Sequence, residues 1–124
     1  MTQFFRRYHR SLLWAVFILL LCGIPGKHIP EPDFWRWLKW DKVTHVILFG
    51  VLSFLMLKES CSPDTVVRVW IILLLAGGYG AGIEWLQAHV FIDRSGDVRD
   101  AAANVVGAFA GWGAHRWSKR KSYR

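Results

Sequence analysis

Two polar side chains interrupt the longest apolar run of this sequence. Glu84 and Gln87 lie three residues apart within the stretch 69–91, which is otherwise rich in leucine, isoleucine and glycine. On a helix this spacing places both side chains on one face. A carboxylate in such a segment is costly to bury and by default indicates a function. Its chemistry would be that of a proton donor, a proton acceptor or a ligand of a hard cation.

A second polar group begins just after this run. Asp97 and Asp100 are three residues apart, and Asp100 and Asn104 are four apart, so a helix starting here would present them on one face. The two carboxylates could act as acids, bases or cation ligands. Asn104 could orient a ligand by hydrogen bonds, and Arg94 could hold an anionic headgroup.

A third polar group precedes another apolar run. Asp41 is expected to cap the N-terminus of a helix, where its carboxylate meets the positive end of the helix dipole. His45 follows one turn later on the same face and could shuttle a proton. Lys42 between them could bind an anionic headgroup. A histidine at a helix start is often structural, and the acids elsewhere in the chain raise the case for function.

Four apolar runs supply the elements that would position these groups. The chain has 124 residues, is 53% hydrophobic and contains 8 Trp and 8 Phe. A soluble domain of this size could not bury so much apolar surface. We therefore predict an all-α integral membrane bundle of four transmembrane helices, forming a single domain over residues 1–124. The predicted helices cover about residues 8–25, 42–58, 69–91 and 98–117.

The first run also has the profile of a signal peptide. No A-x-A cleavage pattern follows it, so we favour a retained helix. Residues 27–40 then combine two prolines with alternating aromatic and basic side chains. This composition predicts a short segment lying in the membrane interface.

Glycines in the third and fourth runs predict close helix packing. Gly78 and Gly82 have GxxxG spacing, and so do Gly107 and Gly111. In a bilayer such small residues let two backbones approach each other. We expect the third and fourth helices to pack through these faces.

The net charge of +7 lies mainly at the two ends of the chain. Basic residues that flank apolar runs are typical of cytoplasmic anchors, whereas a nucleic-acid surface carries them on a folded face. Four spans place both termini on one side, which holds more lysine and arginine than the other. We predict a multi-pass protein with cytoplasmic termini, contacting the lipid bilayer and no nucleic acid. All three polar groups then meet in the outer third of the bilayer.

Three stretches, taken in order and spacing, resemble the VanZ-like family of small bacterial membrane proteins. They are D-K-x-x-H at Asp41–His45, G-x-x-I-E-x-x-Q at Gly80–Gln87, and R-x-G-D-x-x-D-x-x-x-N-x-x-G at Arg94–Gly107. The likeness covers roughly residues 41–113. It implies four or more transmembrane helices in the cytoplasmic (inner) membrane. The namesake is linked with low-level tolerance to teicoplanin, a glycopeptide antibiotic, and the resemblance implies no particular reaction.

Two functions from different classes follow from these patterns. The first is a site that binds a polar or phosphate-bearing envelope lipid or a glycopeptide-related ligand, with chemical modification of that ligand left open and a divalent cation as its candidate cofactor. The second is a non-enzymatic membrane protein that affects envelope composition or antibiotic access, with the polar residues joining helices. The candidate catalytic residues are His45, Glu84, Asp97 and Asp100. The candidate ligand-binding residues are Asp41, Lys42, Gln87, Arg94 and Asn104.

Overall fold

A computed structural model of the chain describes residues 1–23, 40–60, 65–90 and 98–123. Within these ranges every regular element is an α-helix, as predicted. The helices are α1 (Thr2–Arg7), α2 (His9–Cys22), α3 (Trp40–Glu59), α4 (Val66–His89) and α5 (Val98–Ser122). The predicted interfacial segment lies, except for its last residue, outside the described part of the chain.

Helix α4 is the one described helix that is both long and apolar enough to cross a membrane, with 24 residues. Helix α2 is apolar but shorter, because the chain bends at Tyr8 and the helix ends at Cys22. The predicted first helix, at about residues 8–25, is thus represented by a shorter element. Helix α4 begins with a cap, since the Thr65 side chain accepts a hydrogen bond from the backbone N–H of Arg68.

Contacts between helices fix the direction of each one. His45 of α3 bonds to Asn104 of α5. Further along both helices, the rings of Phe54 and His115 lie 6.0 Å apart. The earlier residue of α3 contacts the earlier residue of α5, and the later residue contacts the later one, so α3 and α5 run parallel. Helix α4 runs against α5. Its early residue Trp70 meets Phe109 at 6.2 Å between ring centroids, whereas its later residue Gly80 lies against Asn104, which comes earlier in α5.

Helix α2 is tied to α3 in the opposite direction. The Ser11 hydroxyl, near the start of α2, donates to Glu59 at the end of α3 over 2.6 Å. Trp14 Nε1 donates to the backbone carbonyl of Leu48 at 2.9 Å. The four longer helices therefore alternate in direction, as in an up-down bundle.

The glycine contacts correct one prediction. A Cβ on Gly107 would overlap the backbone of Val46 in α3, and a Cβ on Gly111 would overlap the Ser53 hydroxyl and the Gly50 carbonyl. These glycines pack α5 against α3, where Gly50 and Ser53 supply the facing small residues.

On α4, by contrast, a Cβ added to Gly78 or Gly82 would meet no described heavy atom within 4 Å. The expected pairing of Gly78 and Gly82 with the α5 glycines is therefore wrong. The α4 glycines that face α5 are Gly80, which lies against Asn104, and Gly77, whose added Cβ would lie 3.8 Å from the Val105 side chain.

The distribution of polar and apolar side chains is partly the reverse of that in a water-soluble protein. Ile18, Phe49 and Ile83 form part of a buried apolar core. Other large apolar side chains, among them Leu20 and Leu74, point outward and are exposed. Several ionisable or amide side chains are instead buried between the helices. Apolar residues outside and polar groups inside are the arrangement expected when lipid, not water, surrounds a bundle.

Candidate polar site

The candidate site lies where α3 begins, α4 ends and α5 begins. His45, Glu84 and Asp100 each come from a different one of these helices and are 3%, 7% and 4% exposed. One potential ligand atom from each lies within 4.8 Å of the other two. The packing of the three helices thus brings together three ionisable groups that are far apart in the sequence, and buries them.

His45 is held by Asn104. The Nδ1 atom of His45 lies 2.7 Å from the Oδ1 atom of Asn104. An amide oxygen only accepts hydrogen bonds, so with this amide orientation Nδ1 carries a proton. In a neutral imidazole the Nε2 atom then offers its lone pair. Nε2 lies 3.8 Å from Asp100 Oδ2, a separation at which both atoms could contact a proton carrier or a cation placed between them.

Glu84 approaches the same imidazole from α4. Its Oε1 atom lies 3.9 Å from His45 Nδ1, beyond direct hydrogen-bond distance. The two carboxylates therefore lie near opposite nitrogens of one histidine ring. The ring also stacks on Phe49, with nearly parallel planes and 6.5 Å between the centroids. That contact limits the orientations available to the imidazole.

Lys42 connects this buried group with the exposed end of the bundle. Its Nζ atom lies 3.3 Å from Asp100 Oδ1, and its side chain is 30% exposed while that of Asp100 is 6% exposed. The ammonium group compensates part of the negative charge that Asp100 and Glu84 bring into the interior. It also places a cation at the more exposed edge of the site.

Asn104 is fully buried, at 0% exposure. Its Nδ2 atom finds no hydrogen-bond partner among the described residues. The amide lies against Gly80, where a Cβ would come within 2.7 Å of Nδ2. The absence of a side chain at Gly80 of α4 therefore leaves space for the Asn104 side chain of α5. The spacing of Gly78 and Gly82 did not indicate this role.

Gln87, a candidate ligand-binding residue, bonds to the backbone of α2. It is buried, and its Nε2 atom donates to the backbone carbonyl of Cys22 at 3.2 Å. This bond satisfies a carbonyl at the C-terminal end of α2, where helices leave such groups without intrahelical partners. Gln87 thus joins α4 to α2 beside the site.

Three other predicted residues cannot be placed in this geometry. Arg94 and Asp97 lie outside the described residues, and Asp41 lies in the first turn of α3 without a described side chain. The sequence also gave little indication of two buried polar groups. His115 packs against Phe54, and Ser53 donates to the Ala108 carbonyl at 2.8 Å.

The side chains of His45, Glu84 and Asp100 form a donor set that suits a divalent cation. Imidazole nitrogen with carboxylate oxygen is a ligand combination used for Zn²⁺ and, where oxygen predominates, for Mn²⁺ or Mg²⁺. Asn104, hydrogen-bonded to the imidazole, would orient that ligand from behind. Without a cation, the His45 imidazole lies between the Glu84 and Asp100 carboxylates.

Comparison with known proteins agrees with the three sequence motifs. No curated protein and no solved structure gives a significant match to the chain. The VanZ/LLP1 family matches residues 2–119, nearly the whole sequence. This protein therefore belongs to the VanZ/LLP1 family of membrane proteins.

Proposed function

We propose that this protein binds a polar or phosphate-bearing envelope lipid at a polar cluster, defined as Lys42, His45, Glu84, Asp100 and Asn104. The observation that carries the proposal is the approach of three ionisable groups to within 4.8 Å in a buried position. Two carboxylates beside one imidazole are costly to bury, and a fold built for packing alone could use apolar side chains there. A bound ligand would interact with these groups and offset part of the free-energy cost of burying them.

A divalent cation is the proposed link between the protein and the lipid. His45, Glu84 and Asp100 would each supply one ligand atom, and the cation would balance the carboxylate charges. Divalent cations often keep open positions for phosphate oxygens when the protein supplies only a few ligands. Lys42 would then contact the headgroup from the exposed side. A cation and a nearby base are also the minimum set for hydrolysis of a phosphate ester, so modification of the lipid would use the same groups.

For the membrane arrangement we infer four spans, α2 to α5, with both termini in the cytoplasm. The alternating helix directions and the outward-facing apolar residues support this arrangement. Basic residues occur in the last turns of α1 and α5, at the same end of the bundle. Glu84 lies five residues before the end of α4, or about 8 Å along a helix. The polar cluster would therefore lie in the outer third of the bilayer, near outer-leaflet headgroups.

A non-enzymatic role is the second candidate, and particular contacts favour it. Lys42 with Asp100, His45 with Asn104 and Gln87 with the Cys22 carbonyl all join different helices. Such bonds can stabilise a membrane bundle without any ligand. The protein would then change envelope composition or antibiotic access through its partners. A link to teicoplanin tolerance comes from the family name alone.

The test is metal analysis and native mass spectrometry of the full chain, extracted gently from membranes. Wild type is compared with Glu84→Gln and Asp100→Asn, which keep the side-chain shapes, and with Glu59→Gln as a carboxylate control at the other end of the bundle. A lipid or metal retained by wild type and Glu59→Gln, but lost in both cluster variants, supports the site. Equal retention by all four, with lower thermal stability in the cluster variants, supports the structural role.

A further inference from the structure

A second feature, at the other end of the bundle, lies outside the polar cluster. A groove of about 470 Å³ runs between α2 and α4, with α3 as its floor. Its volume is within the range of about 300–1,000 Å³ that is usual for ligand pockets. The groove is lined along α4 from Thr65 to Tyr79, and on α2 by Leu12 and Ala15. It is therefore a long cleft parallel to the helices.

The two ends of the groove differ in polarity. Thr65, Arg68 and Ser60 line the end near the start of α4, whereas Ile71 and Leu75 line the part beyond them. At the far end the Tyr79 hydroxyl donates to the Ala15 carbonyl and joins α4 to α2. The groove thus has one charged, hydroxyl-rich end and an apolar body closed at its other end.

The length of the groove matches one leaflet. Arg68 and Tyr79 are eleven residues apart, which corresponds to about 17 Å along a helix. Half of a bilayer's hydrocarbon core is about 15 Å thick. A single acyl chain lying along α4 would therefore extend from the charged end to the Tyr79–Ala15 bond.

Arg68 is the charged side chain at the polar end of the groove. Its Nη1 atom is buried and has no hydrogen-bond partner among the described residues. A guanidinium donor buried beside apolar surface is costly unless an acceptor reaches it. Arg68 lies within the first turn of α4, near the level at which headgroups meet the hydrocarbon, and a phosphate there would accept its hydrogen bonds.

We propose that the groove between α2 and α4 binds one acyl chain of an anionic phospholipid, whose phosphate accepts hydrogen bonds from Arg68. In the inferred topology this lipid belongs to the cytoplasmic leaflet. The site is separate from the polar cluster, because Arg68 and Glu84 are sixteen residues apart on α4, or about 24 Å. The acyl chain would replace missing side-chain contacts between α2 and α4.

The test uses native mass spectrometry of the full-length protein in a mild detergent. Phosphatidylglycerol and phosphatidylcholine with identical acyl chains are added in equal amounts. The variants are Arg68→Gln, which removes the charge, and Leu75→Trp, which fills the apolar part from an exposed position. Arg116→Gln is the matched control, since Arg116 is an arginine of α5 that lies 5.6 Å from the Trp112 ring.

We expect wild type and Arg116→Gln to retain phosphatidylglycerol about ten-fold better than phosphatidylcholine. Both lipids offer a phosphate to Arg68, but the choline cation of phosphatidylcholine offsets its phosphate charge and repels the guanidinium. Arg68→Gln should lose that preference, and Leu75→Trp should bind less of both lipids. Equal retention of the two lipids by wild type overturns the proposal. So does an Arg68→Gln protein that is less stable but keeps the preference, because Arg68 would then have a partner within the chain. Glu84→Gln should keep the preference whether or not the polar cluster binds a ligand, which separates the two proposals.

Discussion

The Nδ1 atom of His45 lies 2.7 Å from the Oδ1 atom of Asn104, and this bond joins the two parallel helices α3 and α5 inside the bundle. Both side chains are buried. A buried hydrogen bond contributes little net stability when it is present, but an unpaired buried donor is expensive. The bond therefore fixes the orientation of the imidazole. Its contribution to stability becomes large only when one partner is removed and the other is left buried without a hydrogen bond.

Replacing Asn104 with leucine, which has a similar shape, should lower the free energy of unfolding by about 1–3 kcal/mol, because the His45 N–H loses its acceptor. Thermal or denaturant unfolding in detergent measures the loss. Asn104→Asp keeps an acceptor but adds a third buried carboxylate beside Glu84 and Asp100, so it should also destabilise the protein. A double-mutant cycle with His45→Leu isolates the bond, since the losses that His45→Leu causes at Glu84 and Asp100 occur with and without Asn104 and cancel. If Asn104→Leu alone unfolds like wild type, the bond does not hold α3 to α5.

The convergence of the polar residues could be predicted from the sequence, while their exact partners could not. Spacings of three and four residues place Glu84 with Gln87, and Asp100 with Asn104, on shared faces. Alternating helix directions then bring both faces to the same end of the bundle. The partner of Gln87 is a backbone carbonyl, that of Cys22. Every residue has such a carbonyl, so the sequence carries no signal for this contact.

The sequence also could not predict which helix each glycine face contacts. A GxxxG pattern identifies a face that can approach another helix, but not which helix lies there. Gly107 and Gly111 contact Val46, Gly50 and Ser53 of α3, whose small residues are spaced three apart and form no GxxxG pattern. Partner choice depends on how all the helices fill the bundle together.

The Gly107 contact gives a sharp prediction with an internal control. Gly107→Ala should destabilise the protein by more than about 1 kcal/mol, because its Cβ would overlap the Val46 backbone and force α3 and α5 apart. Gly113→Ala should be neutral or stabilising by up to about 1 kcal/mol, since alanine is the better helix former. A Cβ at Gly113 meets no described atom within 4 Å on the same helix α5. Equal unfolding temperatures for the two variants would contradict the close α3–α5 packing.

Gly80 predicts an effect on the site itself. Gly80→Ala would place a Cβ 2.7 Å from Asn104 Nδ2 and 3.1 Å from a Phe49 ring carbon, so one of the two side chains must move. Both contact His45, and the imidazole should therefore lose its fixed orientation. Under the proposed function, retention of the bound metal or lipid should fall. The measurement is the ligand content of purified protein, by metal analysis and native mass spectrometry.

Gly82→Ala is the control for this experiment, because a Cβ there meets no described atom within 4 Å, only two residues away. Its ligand content should match wild type, and its unfolding temperature should equal or exceed that of wild type, since alanine is the better helix former. Identical ligand content in Gly80→Ala and Gly82→Ala would show that the position of Asn104 does not matter to binding.

Glu59, the last residue of α3, is predicted to stabilise the start of α2. Its carboxylate accepts hydrogen bonds from the backbone N–H groups of Arg10 and Ser11, at 3.0 and 3.2 Å, and from the Ser11 hydroxyl at 2.6 Å. N–H groups in the first turn of a helix have no intrahelical acceptor, and a negative charge there is favourable. Glu59→Ala should therefore lower the free energy of unfolding by about 1–3 kcal/mol.

Glu59→Gln retains one acceptor oxygen and should lose less, and Ser11→Ala removes only the hydroxyl contact and should cost about 1 kcal/mol. Hydrogen exchange offers a readout specific to α2, because the Arg10 and Ser11 amides should exchange faster in Glu59→Ala while α5 remains protected. Uniformly faster exchange across all helices would mean that Glu59 supports the whole bundle. Unchanged exchange at Arg10 and Ser11 would show that the carboxylate does not cap α2.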